Sequence, residues 1–412
     1  MNIAVIGAGI SGLVCTYLLS RDHNVTLFER EPRLGGHTHT VTIAHEGREV
    51  AVDTGFIVFN RRNYPQFCKL LERLGVPTRP TTMSFSVRDD SFEFGGASLR
   101  GVIGSWTNLM RPRWWRVIAG VKSLSHVGKE TLSTMGEHQV IGDLYDSRQF
   151  SRTFLDNYLV PMAASIWSAP RDALMEFPAT FLLRFFDNHG MLDLRERPAW
   201  RTIRGGSRAY IDAITDSVKC ATQIGQAVTS VTRLPDAVSV ATDGGQDYFD
   251  EVIFATHSDQ TLRLLTDATH DEREILGAMP YQANHAVLHT DDSVLPRRRH
   301  CWAAWNYRID GDSSRPVTVT YNMSILQGLG TRTPLCVTLN DPDAIDPACV
   351  LASFNYDHPL YTLEGDRART RWAQISSRER RTHFCGAYWG NGFHEDGVVS
   401  ALRVCRAFGV EL

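Results

Sequence analysis

The feature that most constrains this chain is a Gly-x-Gly-x-x-Gly motif at residues 7–12. It lies between a short β-branched run, Asn2–Ile6, and an apolar helical stretch, Leu13–Leu19. In such a motif the first glycine permits a tight turn, the second lets the backbone approach a phosphate, and the third allows close helix–strand packing. The next predicted strand ends at Glu29, whose carboxylate suits ribose hydroxyls. The spacing therefore predicts a strand–turn–helix unit that binds a dinucleotide, with phosphates at the helix N-terminus.

A second glycine pair, Gly35-Gly36, follows shortly after Glu29. A site for NAD alone does not require this pair, whereas the longer flavin dinucleotide does use one. The sequence therefore favours FAD. The residues predicted to contact it in this region are Gly7, Ala8, Gly9, Ser11, Gly12, Glu29, Arg30, Arg33, Gly35, Gly36, His37 and Thr38.

With these motifs the chain resembles the superfamily of FAD-dependent amine oxidases, protoporphyrinogen oxidases and phytoene desaturases. Its pattern continues into Arg-x-Gly-Gly-Arg, which this chain matches except that His37 replaces the last arginine. A mid-chain Gly-Gly element at 204–207, a strand at 250–256 and two glycine-rich C-terminal segments resemble the superfamily as well. The resemblance implies that the N-terminus of a last helix, predicted from Glu395 to about Phe408, points at the flavin ring. It adds these cofactor residues: Gly55, Phe56, Val228, Gly386, Gly392, Phe393, His394, Glu395 and Gly397.

A narrower resemblance concerns the segments 52–60, 326–327, 356–359 and 386–397. They are similar to bacterial proteins predicted to bind NAD or FAD, and to the N-terminal oxidase region of plant cyclopropane-fatty-acid synthases. Members often accompany enzymes that methylate or cyclopropanate phospholipid acyl chains. The resemblance implies an FAD-dependent oxidoreductase that removes hydride from a C–H bond, with a methylated fatty acyl chain as one substrate. Two alternatives stay open: an amine or porphyrinogen-type oxidase, and a non-redox isomerase or binding protein.

Lysine usage bears on the choice of reaction. Amine oxidases of the superfamily usually place a lysine near the flavin in a substrate-domain strand, but the last lysine here is Lys219. The corresponding stretch offers Asn284 and His285, and arginine holds its proton too firmly to replace lysine. Histidine accepts protons near neutral pH. The candidates for a catalytic base are His285, His289, His358 and His394, with His394 and His285 preferred.

The order of these motifs predicts an α/β fold in which a Rossmann-like FAD-binding domain is interleaved with a substrate domain of mixed sheet and helices. We assign residues 1–75, 200–278 and 376–412 to the first domain, and 76–199 and 279–375 to the second. Residues from about 80 to 200 read as a largely helical insertion. Sheet strands of the substrate domain are predicted at 281–290, 302–309, 317–323 and 335–339.

Composition excludes several partners. The net charge is −3, so no global positive field exists to hold nucleic acid. We see neither a zinc-binding spacing nor an apolar run long enough to span a membrane, and scattered cysteines predict reduced thiols in the cytoplasm. The arginine–tryptophan segment at 106–118 allows two interpretations. A packed substrate-domain helix is favoured over peripheral contact with the inner face of a membrane.

Overall fold

The computed structural model describes residues 1–134, 136, 138–146, 149–192, 198–309 and 318–412. Its strands are β1 (Asn2–Ile6), β2 (Asn24–Glu29), β3 (Thr40–His45), β4 (Arg48–Asp53), β5 (Phe59–Asn60), β6 (Thr78–Pro80), β7 (Phe85–Arg88), β8 (Glu93–Gly95), β9 (Trp200–Ile203), β10 (Ala221–Ile224), β11 (Val228–Arg233), β12 (Val238–Thr242), β13 (Gly245–Phe249), β14 (Glu251–Phe254), β15 (Tyr281–His289), β16 (Trp305–Arg308), β17 (Val319–Asn322), β18 (Cys336–Leu339), β19 (Val350–Pro359) and β20 (Thr382–Phe384).

The helices of the described residues are α1 (Ile10–Leu19), α2 (Pro65–Arg73), α3 (Leu99–Ile103), α4 (Trp106–Leu109), α5 (Pro112–Thr134), α6 (Asp143–Asp146), α7 (Arg152–Phe154), α8 (Val160–Trp167), α9 (Arg171–Met175), α10 (Ala179–Asn188), α11 (Arg208–Ser217), α12 (Ser258–Leu264), α13 (His270–Gly277), α14 (Met323–Leu326), α15 (Leu363–Thr370) and α16 (His394–Ala407). Among them, none combines the length and hydropathy that crossing a bilayer requires.

A five-stranded parallel sheet carries the N-terminal glycine motif. Its order is β10-β2-β1-β14-β20, so it draws strands from the start, the middle and the end of the chain. Strand β14 is buried along its whole length, because both faces of the sheet are covered. Ile3 and Val5 pack beneath α1, α2, α11 and α16, whereas Ala4 and Ile6 pack towards the meander β11-β12-β13. The predicted mixed α/β architecture is confirmed.

The second large sheet has seven strands in the order β19-β15-β18-β17-β16-β7-β8. Its pairings are antiparallel except for β16 with β7. The helices α3 to α10 follow β8 in the chain, which agrees with the predicted helical insertion from Leu99 onward. Strands β6, β7 and β8 at its beginning were not predicted. The predicted strand 317–323 is observed as β17, and residue 317 lies outside the described residues.

Candidate functional site

The first glycine motif makes the turn between β1 and α1. Gly7 has φ +98°, and a Cβ atom on Gly12 would lie 1.9 Å from the Gly7 carbonyl oxygen. A Cβ on Gly9, in contrast, would meet no atom within 4 Å. The packing of α1 against the turn at Gly7 therefore leaves no room for a side chain at Gly12, whereas the space beside Gly9 is open. That open space next to the N-terminus of α1 is where a phosphate would approach.

Glu29, at the end of β2, holds this turn in place. Its Oε2 accepts the Ala8 N–H at 2.8 Å, its Oε1 accepts the Glu31 N–H at 2.9 Å, and the residue is buried. Its backbone oxygen accepts the Gln226 N–H at 3.0 Å, which brings the half-buried Val228 to the same edge of the sheet. Glu29 and Val228 thus lie on the side predicted for the adenosine. The side chain of Arg30, in contrast, is exposed and forms an ion pair with Glu31.

The second glycine pair lies directly against the first motif. The Gly35 N–H donates to the Ala8 oxygen at 2.8 Å, and a Cβ on Gly36 would lie 3.2 Å from the Gly9 Cα. Arg33 donates to the Thr38 oxygen at 3.3 Å, so its guanidinium fixes the segment that follows the glycines. Both glycine motifs, separated by more than twenty residues in the sequence, therefore form one continuous backbone surface.

Gly55 and Phe56 extend this surface. The Phe56 N–H donates to the His37 oxygen at 2.9 Å, and a Cβ on Gly55 would lie 2.1 Å from that oxygen. The close approach requires glycine at position 55. Phe56 then lies beside the C-terminal segment, where its ring stacks on His394.

The last helix, α16, begins at the same place. Ser11 Oγ donates to the Gly397 oxygen at 2.9 Å, and a Cβ on Gly397 would lie 2.7 Å from Ile10 Cγ2. The N-terminal ends of α1 and α16 therefore converge, and each contributes a positive helix end. Gly386 and Gly392 both lie in the segment before α16, where Gly392 has φ +88°. A cradle of glycines between two convergent helix N-termini fits an anionic dinucleotide, so these residues fit FAD.

Two C-terminal residues have other roles than a direct cofactor contact of their side chains. The sequence predicts Glu395 as a cofactor residue, but its carboxylate accepts the N–H groups of Gln66 and Phe67, both at 2.9 Å. It therefore caps the N-terminus of α2. Cys385 is fully buried, with its Sγ 3.9 Å from Cys15 Sγ, so its thiol faces the core behind α1.

His394, the preferred catalytic base, is held by hydroxyl groups. Its Nε2 lies 2.8 Å from Thr38 Oγ1 and 3.2 Å from the Tyr210 hydroxyl, and its ring stacks on Phe56 at 3.5 Å between centroids. Burial lowers its pKa well below the ordinary value for histidine. His394 is thus a neutral ring whose Nε2 is already hydrogen-bonded. This arrangement suits positioning of the Phe56 face better than proton abstraction from a substrate.

Three other histidines, His37, His257 and His358, come together in what we call the histidine recess. The His37 ring lies 5.9 Å from that of His257 and 5.3 Å from that of His358. Desolvation lowers the pKa of all three, to about 3 for His257 and His358. Each keeps part of its surface accessible, and the buried Nε2 of His37 has no hydrogen-bond partner within the described residues. The recess therefore presents neutral rings and an unused polar atom to whatever occupies it.

The position where the resemblance expects a lysine faces this recess through Asn284. The Asn284 amide nitrogen lies 3.1 Å from His358 Nδ1, and its oxygen accepts the Asn340 amide at 2.7 Å. Asn284 therefore donates to Nδ1 of His358, which leaves the His358 proton on Nε2.

His285 cannot serve as the base at this recess. In the β15–β19 ladder Gln282 pairs with His358 and Asn284 with Tyr356, which puts these residues on one face. His285 pairs with Asn355 and belongs to the opposite face, because neighbouring strand residues alternate. The register thus places His285, one of the two histidines preferred as catalytic base, on the face opposite the recess.

Asp53 joins the two parts of the molecule. Its Oδ1 accepts Thr40 Oγ1 at 2.6 Å and both the N–H and the hydroxyl of Ser207 at 2.8 Å. Its Oδ2 accepts Gln327 Nε2 at 3.0 Å. Complete burial raises the pKa of Asp53 to about 6 despite these four donors. The carboxylate thus links β4, the 204–207 glycine segment and the seven-stranded sheet region.

Phe393 packs against a cluster of aromatic side chains that we call the aromatic wall. Trp167 lies 4.9 Å from Phe185 and Phe181 lies 4.6 Å from Tyr361, between ring centroids. Phe393, the residue before α16, lies 5.0 Å from Phe185. In the sequence, Trp167 is one of several aromatic residues that are candidates for an apolar substrate tunnel, with core packing as the default interpretation. The i, i+4 spacing of aromatic residues at 177, 181 and 185 is the signal that was missed. The wall consists of Trp167, Phe177, Phe181, Phe185, Tyr361 and Phe393.

Solved structures with this fold include several flavoenzymes. A putrescine oxidase double mutant superposes with a TM-score of 0.70 at 13% identity, over 99% of both chains. The fatty acid isomerase of P. acnes that produces CLA gives 0.68 at 17% identity over 98% of both chains. Cyclohexylamine oxidase of Brevibacterium oxydans gives 0.66 at 13% identity over 98% of both chains. At such identities the likeness concerns the fold.

The sequence itself supplies the family. Comparison with curated proteins gives no match. The family model described as flavin containing amine oxidoreductase matches residues 10–295, well over half of the chain. Members of this family bind FAD, which agrees with the glycine cradle and the convergent helix ends described above. The chain therefore belongs to the flavin-containing amine oxidoreductase family and is an FAD-dependent oxidoreductase.

Proposed function

We propose that this oxidoreductase removes hydride from a C–H bond of an apolar acyl chain, and that a methylated fatty acyl chain of a phospholipid is its substrate. The observation that carries the proposal is the aromatic wall, which is built directly against Phe393 at the start of α16. Aromatic rings provide a large apolar surface for a hydrocarbon, and the guanidinium of Arg369 packs over the rings of Phe181 and Tyr361.

The chain's own residues support a reaction on an uncharged substrate. FAD, when bound, supplies the hydride acceptor. The N-termini of α1 and α16 stabilise negative charge beside it. Asn284 fixes His358 as an Nε2–H donor, and His37, His257 and His358 stay neutral around neutral pH because burial lowers their pKa.

The lysine pattern supports the same choice. The strand that the resemblance connects with the amine oxidase lysine carries Asn284 and His285, and no lysine follows Lys219 in the sequence. An amide neither carries positive charge nor activates water as an amine does. The reaction proposed here breaks one C–H bond by hydride loss and a neighbouring C–H bond by proton loss, which gives a C=C bond. The proton passes to water or to Nε2 of the neutral His37 ring, which has no hydrogen-bond partner among the described residues. Oxygen or another acceptor then takes up the two electrons.

A non-redox reaction on the same kind of substrate is the second candidate. It is favoured by the likeness in fold to the CLA-producing fatty acid isomerase of P. acnes. The two candidates share an acyl substrate and differ in whether the product is more oxidised than the substrate.

The test uses the purified holoprotein under anaerobic conditions. We expect a phospholipid with methyl-branched acyl chains to bleach the visible band of the oxidised flavin, and a straight-chain analogue to bleach it more slowly. Bleaching by amines alone would contradict the proposal in favour of amine oxidation. A rearranged product without net oxidation would contradict it in favour of the isomerase.

A variant of the aromatic wall adds a control for the substrate. Phe181→Asp places a charge among the rings, and we expect it to abolish bleaching by the phospholipid while FAD stays bound. Tyr248→Asp, at a residue 60% exposed on β13, is the matched control and should behave as the wild type. Equal bleaching in both variants would show that the acyl chain binds elsewhere.

A further inference from the structure

Four large apolar side chains stand out from one edge of the helical region. Leu99 is 85% exposed, Trp106 80%, Met110 85% and Trp115 55%. They lie on α3, on and just after α4, and at the start of α5, three helices that follow one another and pack together in that order. We call them the exposed apolar surface. Soluble proteins rarely expose such a contiguous set without a partner.

The backbone beneath this surface is firmly held. Asn108 donates through Nδ2 to the backbone oxygens of Glu93 and Ile103, both at 2.9 Å, and is buried. Trp114, the neighbour of Trp115, is buried and donates to the Val102 oxygen at 3.0 Å. The inward side chains fix the helices to β8, so the outward set is a defined face of the fold.

The sequence stretch that carries this face contains basic but no acidic side chains. From Phe94 to Lys129 the sequence contains no Asp or Glu, although the whole chain has net charge −3. Arg113 pairs with Asp89, and Arg111 donates to the Ser91 oxygen. Among the described residues, no ion pair involves the other four basic side chains of the stretch, all exposed: Arg100, Arg116, Lys122 and Lys129.

We propose that the exposed apolar surface docks on an anionic phospholipid bilayer. Tryptophan side chains are favoured at the depth of the lipid headgroups. In the docked protein Leu99 and Met110 enter the boundary of the acyl chains, and the arginines reach the lipid phosphates. Within the described residues no helix is able to cross a bilayer, so the contact is interfacial. The proposal does not depend on the substrate proposed above.

A bilayer fits this face better than a second copy of the chain does. A twofold dimer through the same patch would bring two cationic rims together, whereas anionic lipid neutralises each rim. The face also connects to the aromatic wall through α5. Gly128 of α5 lies against Leu192, and the apolar cluster that contains Leu192 also contains Trp167 and Phe185.

Sedimentation of the holoprotein with vesicles tests the proposal. Phosphatidylglycerol vesicles with unbranched acyl chains are compared with phosphatidylcholine vesicles, so that binding is measured without the proposed substrate. We expect binding to the anionic vesicles and at least about tenfold weaker partition to the zwitterionic ones. Absence of binding to phosphatidylglycerol would overturn the docking proposal and leave the proposed reaction untouched.

Two double variants separate the contributions. We expect Trp106→Ser with Met110→Ser, and Arg100→Gln with Arg116→Gln, each to lower partition by about tenfold. Tyr248→Ser, exposed on β13, is the control and should bind as the wild type. Unchanged FAD content and thermal midpoint show that the variants are folded. Wild-type binding by the Trp106/Met110 variant, or dimerisation that this variant abolishes, would overturn the proposal.

Discussion

The glycine cradle and the histidine recess are adjoining parts of one candidate cofactor site, because His37 directly follows Gly36, yet they are built from different groups. The cradle consists of backbone: Gly9, Gly36 and the N-terminal ends of α1 and α16. The recess consists of side chains, chiefly His37 and His358, held by Asn284. Backbone N–H groups cannot be exchanged by mutation, whereas a ring or an amide can.

From this difference we expect the cradle and the recess to have separate tasks. In the cradle, Gly12 tolerates no side chain because the Gly7 oxygen already occupies that space, whereas Gly9 leaves open the space assigned to the phosphates. We therefore expect the cradle to determine whether the protein folds and binds the dinucleotide. The recess consists of side chains that mutation can exchange, so we expect it to control the reaction of the bound cofactor rather than its binding. Variants of the cradle should therefore lose stability or FAD, whereas variants of the recess should keep FAD and react more slowly.

The largest effect is expected for Gly12→Ala. The new Cβ would lie 1.9 Å from the Gly7 oxygen, a contact that the backbone of β1 and α1 cannot relieve without moving apart. We expect a loss of more than about 3 kcal/mol in unfolding free energy, with loss of FAD. Gly277→Ala, in α13, has its nearest atom at 3.9 Å and is the control. A Gly12→Ala protein as stable as this control would contradict the steric role that we assign to Gly12 in the cradle.

The second prediction concerns Asp53, which links β4 to the 204–207 segment and to the seven-stranded sheet region. Its pKa is about 6 in the folded protein against 3.8 for the ordinary group, so the folded state binds the proton more tightly. Stability therefore falls as pH rises between about 4 and 6, on the order of 3 kcal/mol from this group. In urea titrations, Asp53→Asn should reduce the fall by that amount. Parallel pH curves of the two proteins would show that Asp53 does not titrate in this window.

The third prediction uses two neighbours on opposite faces of β15. Asn284→Ala removes the donor to His358 Nδ1 and frees its tautomer, so we expect about tenfold slower flavin reduction and a shifted flavin spectrum. His285→Ala, on the other face, is the matched control and should keep the wild-type spectrum. A spectrum that shifts in the control and not in Asn284→Ala would reverse our assignment of the faces.

The smallest effect is expected at Glu395, which caps α2. Glu395→Ala removes the acceptor for two N–H groups at the start of this helix and should cost about 1 kcal/mol of unfolding free energy. FAD content should stay at the wild-type level, because the carboxylate faces α2. Glu72→Ala, which loses only an exposed pair with Arg61, is the control and should change little. Loss of FAD in Glu395→Ala alone would restore a cofactor role for this side chain.

The cradle could be predicted from sequence because its signal is local. Turn, helix and strand follow one another within residues 2–29. Gly7 and Gly12 meet steric demands of their neighbours, and Gly9 leaves space for a phosphate. The recess could not, because its faces depend on the register of β15 against β19, two strands far apart in the chain. Strand β19 escaped prediction for a related reason: it lies at a sheet edge and is half exposed, so its apolar pattern is weak.

The most direct measurement of the account is the FAD dissociation constant of Gly9→Ala beside that of Asn284→Ala. A Cβ at Gly9 meets no protein atom within 4 Å, so the apoprotein should keep its stability. The same Cβ projects into the space assigned to the phosphates, so FAD affinity should fall by about tenfold or more. Asn284→Ala should bind FAD within about twofold of the wild type. Unchanged FAD affinity in Gly9→Ala, or an equal loss of affinity in both variants, would contradict the division of the site into a cradle that binds FAD and a recess that controls the reaction.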